Sequence, residues 1–311
     1  MPLRLPEPAV KERILVLGRG GLVNRFSSFL VLGIALFSIN GPAVRTSPFP
    51  DRTASAYAES LREVFQLREK IKSIHPLLKD LHPVAIAEGE ALLIFKPDET
   101  RKIYVLEART PAPMPIPKGI RAAFPLEALG NKPACVVTGE VFDSREGYVL
   151  IFHEFVHCHQ FLTCEPKLKE RLSVYRRAME KKDYMWELQH PFPYTDPAFE
   201  KTYRRLLQAL DSDDEPAVLE CRRGLRRVLP EEDYDYMVWQ EWKEGLARYI
   251  ENRIRARLGL AENNNGLEGS LSRVSFYAAG DRMIRFLADR DANLPTDIEK
   301  MFEEIFSMAE R

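Results

Sequence analysis

The residues best suited to chemistry lie between Ile151 and Phe161, where the chain reads Ile-Phe-His-Glu-Phe-Val-His-Cys-His-Gln-Phe. His153 and His157 stand four residues apart, and Glu154 directly follows the first. On a helix, positions i and i+4 share a face, so both imidazoles can reach one ion. Zinc accepts neutral imidazole nitrogen well, and a catalytic zinc site needs three protein ligands plus one position open to water. Glu154 is rotated about 100° around the helix from His153, so its carboxylate can face a water instead of the ion. Zinc lowers the pKa of such a water to about 7, and a carboxylate can then take its proton. His159 lies about 200° around the helix from His157 and cannot share the ion. It reads as a core or supporting histidine, and Cys158 fails on the same geometry.

Such a motif needs a buried helix to hold it. Val149, Leu150, Ile151, Phe152, Phe155 and Val156 surround it with uncharged bulk. Two histidines and a glutamate buried together without a partner would be costly, and a metal removes that cost. Upstream, 53–74 has helical spacing, and Val84–Phe95 with Lys102–Ala108 reads as a hairpin turning through Lys96-Pro97-Asp98-Glu99. Pro111, Pro113, Pro115 and Pro117 force an extended connector, and a third strand is expected over Ala134–Phe142. Beyond Ser144 the pattern is helical, over 146–164, 167–182, 197–210, 215–229, 231–258, 270–291 and 296–309. A small sheet followed by a helix-rich remainder predicts an α+β fold, predominantly helical.

Two histidines need a third donor. His75, His82 and His190 sit in unpatterned contexts, and no histidine follows His157 at metzincin spacing. A better source is the helix over 231–258, within Trp242-Lys243-Glu244-Gly245-Leu246-Ala247-Arg248-Tyr249-Ile250-Glu251. Glu244, Gly245, Ala247, Tyr249 and Glu251 match the stretch E-G-x-A-x-Y-x-E. Here the chain resembles the gluzincin superfamily, particularly aminopeptidase-N-like HExxH zinc metallopeptidases and their thermolysin-like relatives. The resemblance implies Glu244 as the third zinc ligand, with Glu241, one turn earlier on the same face, as the rival. Gly245 favours Glu244 because it permits close approach of two helices. A third block, Tyr277-x-x-Gly280-x-x-x-x-Arg285-Phe286-Leu287, is similar to the family segment Y-x-K-G-A-x-x-x-R-M-L, which implies that Tyr277 stabilises the oxyanion. Arg248 and Tyr249 are weaker candidates for that role.

The resemblance has departures. The Gly-Ala-Met-Glu-Asn stretch that binds a free amino terminus in aminopeptidases is absent before the motif. The interval from His157 to Glu244 is much longer than in those enzymes. Arg248 stands where thermolysin-like relatives carry an aspartate that orients a zinc histidine, so the groups orienting His153 and His157 are open. The implied arrangement is a zincin-like domain over 51–311, with the sheet and motif helix in 51–165 and a helical subdomain in 166–311. The implied activity is hydrolysis of a peptide or protein substrate. The alternatives are a zincin-fold binding or regulatory protein without turnover, and a zinc hydrolase of a non-peptide amide. Along Ala134–Phe142 an extended substrate could pair with the strand edge, and the loop His190–Tyr194 could line the cleft.

Composition bounds the partners. The 311 residues carry a formal net charge of −1, which provides no global field for nucleic acid. Basic residues gather at the start, where Arg4, Lys11, Arg13, Arg19, Arg25 and Arg45 face only Glu7 and Glu12. From Phe26 to Val44 there is no charged side chain. This reads as a secretory signal or membrane anchor with a linker over 1–50, placing the catalytic domain outside the cytoplasm. A buried core helix in a cytoplasmic protein is the alternative. The four cysteines lack paired C-x-x-C spacing, so no structural zinc knuckle is indicated.

Overall fold

A computed structural model of the chain describes residues 52–311. The signal or anchor expected over Phe26–Val44 lies outside the described residues. Among those described, no helix is long and apolar enough to cross a membrane.

The described chain opens with α1 (Arg52–Ser60) and α2 (Arg62–Ile71), so the helical spacing of 53–74 is divided at Leu61. Five strands follow: β1 (Val84–Glu88), β2 (Ala91–Asp98), β3 (Ile103–Pro111), β4 (Arg121–Leu126) and β5 (Lys132–Thr138). They form one sheet in the order β3-β2-β1-β5-β4. β1 and β5 run parallel, and every other neighbouring pair is antiparallel.

Four strand expectations need correction. The run Val84–Phe95 is two strands, because the chain reverses at Gly89, whose φ of +58° suits glycine. The turn placed at Lys96–Glu99 falls later, since β2 continues to Asp98 and pairs with Ile103. β4 was not anticipated at all. It contains Pro125, which a central strand would reject but an edge strand tolerates. β5 ends at Thr138, where a 3₁₀ turn over Gly139–Asp143 takes over, and it is paired on both sides, by β1 and β4. It has no edge for a substrate; the edge strand beside it is β4.

Both faces of the sheet are covered, which explains why its central strands read as nearly continuous apolar runs. Val84, Ile86, Leu93, Phe95, Cys135 and Val137 join the main core on the side of the motif helix. Ala85, Ile94, Ala122, Phe124 and Val136 form a second cluster on the opposite face. Ala112, Met114 and Ile116 of the proline-marked connector pack against that second cluster, so the connector crosses the far side of the sheet on its way from β3 to β4.

The remaining chain is helical: α3 (Arg145–Thr163), α4 (Glu165–Lys169), α5 (Ser173–Glu180), α6 (Trp186–Gln189), α7 (Pro197–Asp211), α8 (Glu215–Val228), α9 (Glu231–Arg257), α10 (Arg273–Ala288) and α11 (Ile298–Phe306). The architecture is α+β and predominantly helical. Local chemistry sets several starts. Ser144 caps α3 by accepting the Gly147 N–H at 3.1 Å, and Asp196 caps α7 by accepting the Phe199 N–H at 2.8 Å. α9 is different, since nearly every residue from Tyr234 to Ile254 is buried. Such a helix is central and packed on all sides.

Candidate metal centre

Three helices build the site. α3 presents His153 and His157, whose rings lie 5.0 Å apart between centroids. α9 presents Glu244, and α10 crosses α9 one residue further on. That crossing is unusually close: a Cβ added to Gly280 would stand 2.1 Å from the Glu241 carbonyl oxygen. One added to Gly245 would stand 2.5 Å from the Gly280 Cα. Only a glycine pair lets the two backbones touch there. The contact also brings Tyr277, one turn before Gly280, beside the same region.

His153, His157 and Glu244 are all buried, and one ligand atom from each lies within 4.8 Å of the others. Glu244 Oε2 is 3.8 Å from His153 Nε2 and 3.5 Å from His157 Nε2. Ligands about 2.0–2.1 Å from a tetrahedral ion sit roughly 3.3 Å from one another, so this spacing fits a divalent metal with little adjustment. The polar inventory agrees with that fit. His157 Nε2, Glu244 Oε2, Glu154 Oε2 and the Tyr277 hydroxyl are buried and have no hydrogen-bond partner. Buried polar atoms are rarely left so, and the four gathered here fit a cluster that could hold a metal ion.

The rings are held from behind by different groups. His153 Nδ1 donates to Glu251 Oε2 at 3.0 Å. Glu251 in turn accepts from Arg255 Nε at 2.8 Å and Asn263 Nδ2 at 2.9 Å, and pairs with Arg248 Nε at 3.3 Å. Arg248 therefore stands behind the orienting carboxylate, which comes from Glu251, three residues on. His157 Nδ1 lies 2.9 Å from Gln160 Oε1, and Gln160 Nε2 donates to the Lys243 carbonyl at 3.1 Å. Gln160 is a local partner, three residues from His157 on the same helix, whereas Glu251 reaches His153 from 98 residues away.

The charges follow this geometry. Burial alone would raise the Glu244 carboxyl, but the His157 and His153 rings hold it well below the usual carboxylate range. Burial likewise opposes the lowering of Glu251, which His153, Arg248 and Asn263 nonetheless bring to about 2. Burial would depress His153, yet Glu244 and Glu251 raise it to about 9. Glu154 goes the other way. Burial raises it, with Glu244 adding to the rise, while His157 and His153 pull against it. A carboxyl poised upward is the form that can both take and return a proton.

The rival and the weaker candidates are committed elsewhere. Glu241 is fully buried, 2.7 Å from Arg222 and 2.9 Å from the Tyr203 hydroxyl that donates to it. Its same-face position counts for less than that pairing. Arg248 is engaged by Glu251 and by the Asn263 carbonyl at 2.9 Å. The Tyr249 hydroxyl accepts from Arg253 at 2.8 Å. Of these oxyanion candidates, Tyr277 is the one whose hydroxyl is buried and unused, and the charges of Glu244 and Glu154 reach it. His190 pairs with Asp233 at 2.6 Å, and Phe192 is buried against Tyr194, Phe199, Tyr236 and Phe276. Phe192 thus belongs to the core, while His190 and Tyr194 are only partly buried.

Compared with protein-family models, with curated proteins and with solved structures, the chain matches none.

Proposed function

We propose that the chain is a zinc-dependent peptidase of gluzincin type, hydrolysing peptide bonds in a peptide or protein substrate. The observation that carries the reading is the convergence of His153 Nε2, His157 Nε2 and Glu244 Oε2 beside an unpartnered, upward-shifted Glu154 carboxyl. Two imidazoles and one carboxylate are a donor set suited to zinc, with one position left for water or substrate. Bound there, zinc supplies the Lewis acidity that makes water nucleophilic near neutral pH and polarises a carbonyl.

The chain's own residues do the rest. Glu154 Oε2 accepts the proton of the attacking water and later returns it to the leaving amine. The Tyr277 hydroxyl donates to the oxygen that gains charge as the carbonyl becomes tetrahedral. An extended substrate fits along β4, the edge strand, whose first residue Arg121 lies close enough for its charge to act on Glu154.

The test is to purify the protein, measure zinc per chain, and compare peptide cleavage by wild type and Glu154→Gln. About one zinc in each protein, with cleavage lost only in the variant, is the expected result. Stoichiometric zinc with no cleavage of any peptide by wild type would remove the peptidase reading and leave a metal-binding protein.

A further inference from the structure

We infer that Gln160 is a positioning residue that fixes the proton of His157 on Nδ1 by relaying the polarity of the Lys243 backbone carbonyl. The inference rests on the metal-site reading, which it deepens by naming how one ligand is prepared. A carbonyl oxygen can only accept, so the Gln160 atom 3.1 Å from the Lys243 oxygen must be the amide nitrogen. The other end of the amide is then its oxygen, 2.9 Å from His157 Nδ1, and it too can only accept. In the neutral ring His157 Nδ1 therefore carries the hydrogen, which leaves the lone pair on Nε2.

That lone pair faces Glu244 Oε2 at 3.5 Å, where the ion would sit. The amide has little freedom to do otherwise, because Gln160 is fully buried and sits on the same helix as the ring it holds. Lys243 is equally fixed. Its ammonium is buried between Glu187 Oε2 at 2.7 Å and Glu165 Oε1 at 3.2 Å. Since Lys243 immediately precedes Glu244, one amide ties the second histidine to the backbone that carries the carboxylate ligand. The two histidines thus differ, His153 being backed by an anion and His157 by a neutral amide.

The decisive measurement needs no metal. Nitrogen-15 spectra of histidine-labelled, metal-free protein at alkaline pH distinguish a ring protonated on Nδ1 from one protonated on Nε2. Wild type should show His157 with the hydrogen on Nδ1. Gln160→Met, which fills the space without a polar end, should lose that signature. In chelator competition, Gln160→Met should bind zinc about 10–100-fold more weakly than wild type. A wild-type His157 protonated on Nε2 overturns the inference even if the methionine variant does not fold. So does a folded methionine variant with unchanged tautomer and unchanged zinc affinity. Failure of wild type to bind zinc, with the expected tautomer present, would instead count against the metal reading alone.

Discussion

Glu251 reaches across from α9 to place its Oε2 3.0 Å from His153 Nδ1, joining residues 98 apart in the chain. The carboxylate behind the first histidine thus comes from the same helix as Glu244, two turns further on. A hydrogen-bonded carboxylate fixes a ligand's ring orientation and raises its basicity.

Glu251→Gln removes the negative charge while keeping an acceptor. Zinc affinity should fall by about 10–100-fold, read by competition with a chromophoric chelator. The variant also leaves Arg248 and Arg255 without their shared carboxylate, so its thermal midpoint should drop. Undiminished zinc affinity in a folded protein would mean that His153 is oriented by something else.

Tyr277→Phe tests the proton donor. Nothing else hydrogen-bonds that hydroxyl, so its removal should cost little stability. Peptide turnover should nevertheless fall by about 10²–10³-fold, with zinc content unchanged. A variant as active as wild type would exclude Tyr277 from the chemistry.

Gly280→Ala addresses the helix crossing. The new methyl would enter the space of the Glu241 carbonyl, 2.1 Å away, and α10 must shift to admit it. Overpacking of this kind costs about 1–3 kcal/mol, measurable by urea denaturation. Gly224→Ala on α8 is the control. Its methyl meets only the Thr202 Cγ2 at 3.1 Å, so the gain in helix propensity should offset much of the crowding.

Glu241→Gln separates a structural carboxylate from a ligand. It leaves the buried Arg222 guanidinium without its counter-charge, and losing one partner of a buried pair costs about 3–5 kcal/mol. Below its unfolding temperature the variant should still bind one equivalent of zinc. A loss of zinc from folded protein would reinstate Glu241 as a ligand.

Two histidines away from the site govern stability in acid. Burial pushes His75 and His82 down to about 4, from about 6.5 in an unfolded chain. Between these values the unfolded state binds protons that the folded state refuses, so stability falls as pH drops from 6.5 towards 4. Each histidine contributes a slope of up to about 1.4 kcal/mol per pH unit. His82 packs its ring on Phe155, and its Nε2 has no partner. His82→Phe should therefore flatten the slope in denaturation curves taken from pH 4 to 7. A slope equal to that of wild type would show that His82 is not buried in its neutral form.

Where periodicity was strong, the sequence was legible. The motif helix, expected over 146–164, spans Arg145–Thr163, and the ligand helix expected over 231–258 spans Glu231–Arg257. Glu244 converges on the two histidines as the motif blocks implied. What stayed hidden depends on distant partners or on weak local signals. The reversal at Gly89 sits inside an apolar run that reads as one strand, and β4 is short and interrupted by Pro125. That β5 has no free edge is equally hidden, because pairing order in a sheet is a property of the whole chain. Glu241 and Glu244 share a helix face, and their partners separate them: Arg222 and Tyr203 for Glu241, the two histidines for Glu244.

Because α9 is enclosed along nearly its whole length, its central amides can exchange with solvent only when the entire molecule opens. The wall of the site that carries Glu244 and Glu251 is thus part of the last structure to melt. Small zinc modules fold only around their ion. The buried face of α9 is packed by side chains alone, so on the proposed metal reading a chelator is expected to leave that helix folded, as amide exchange would show.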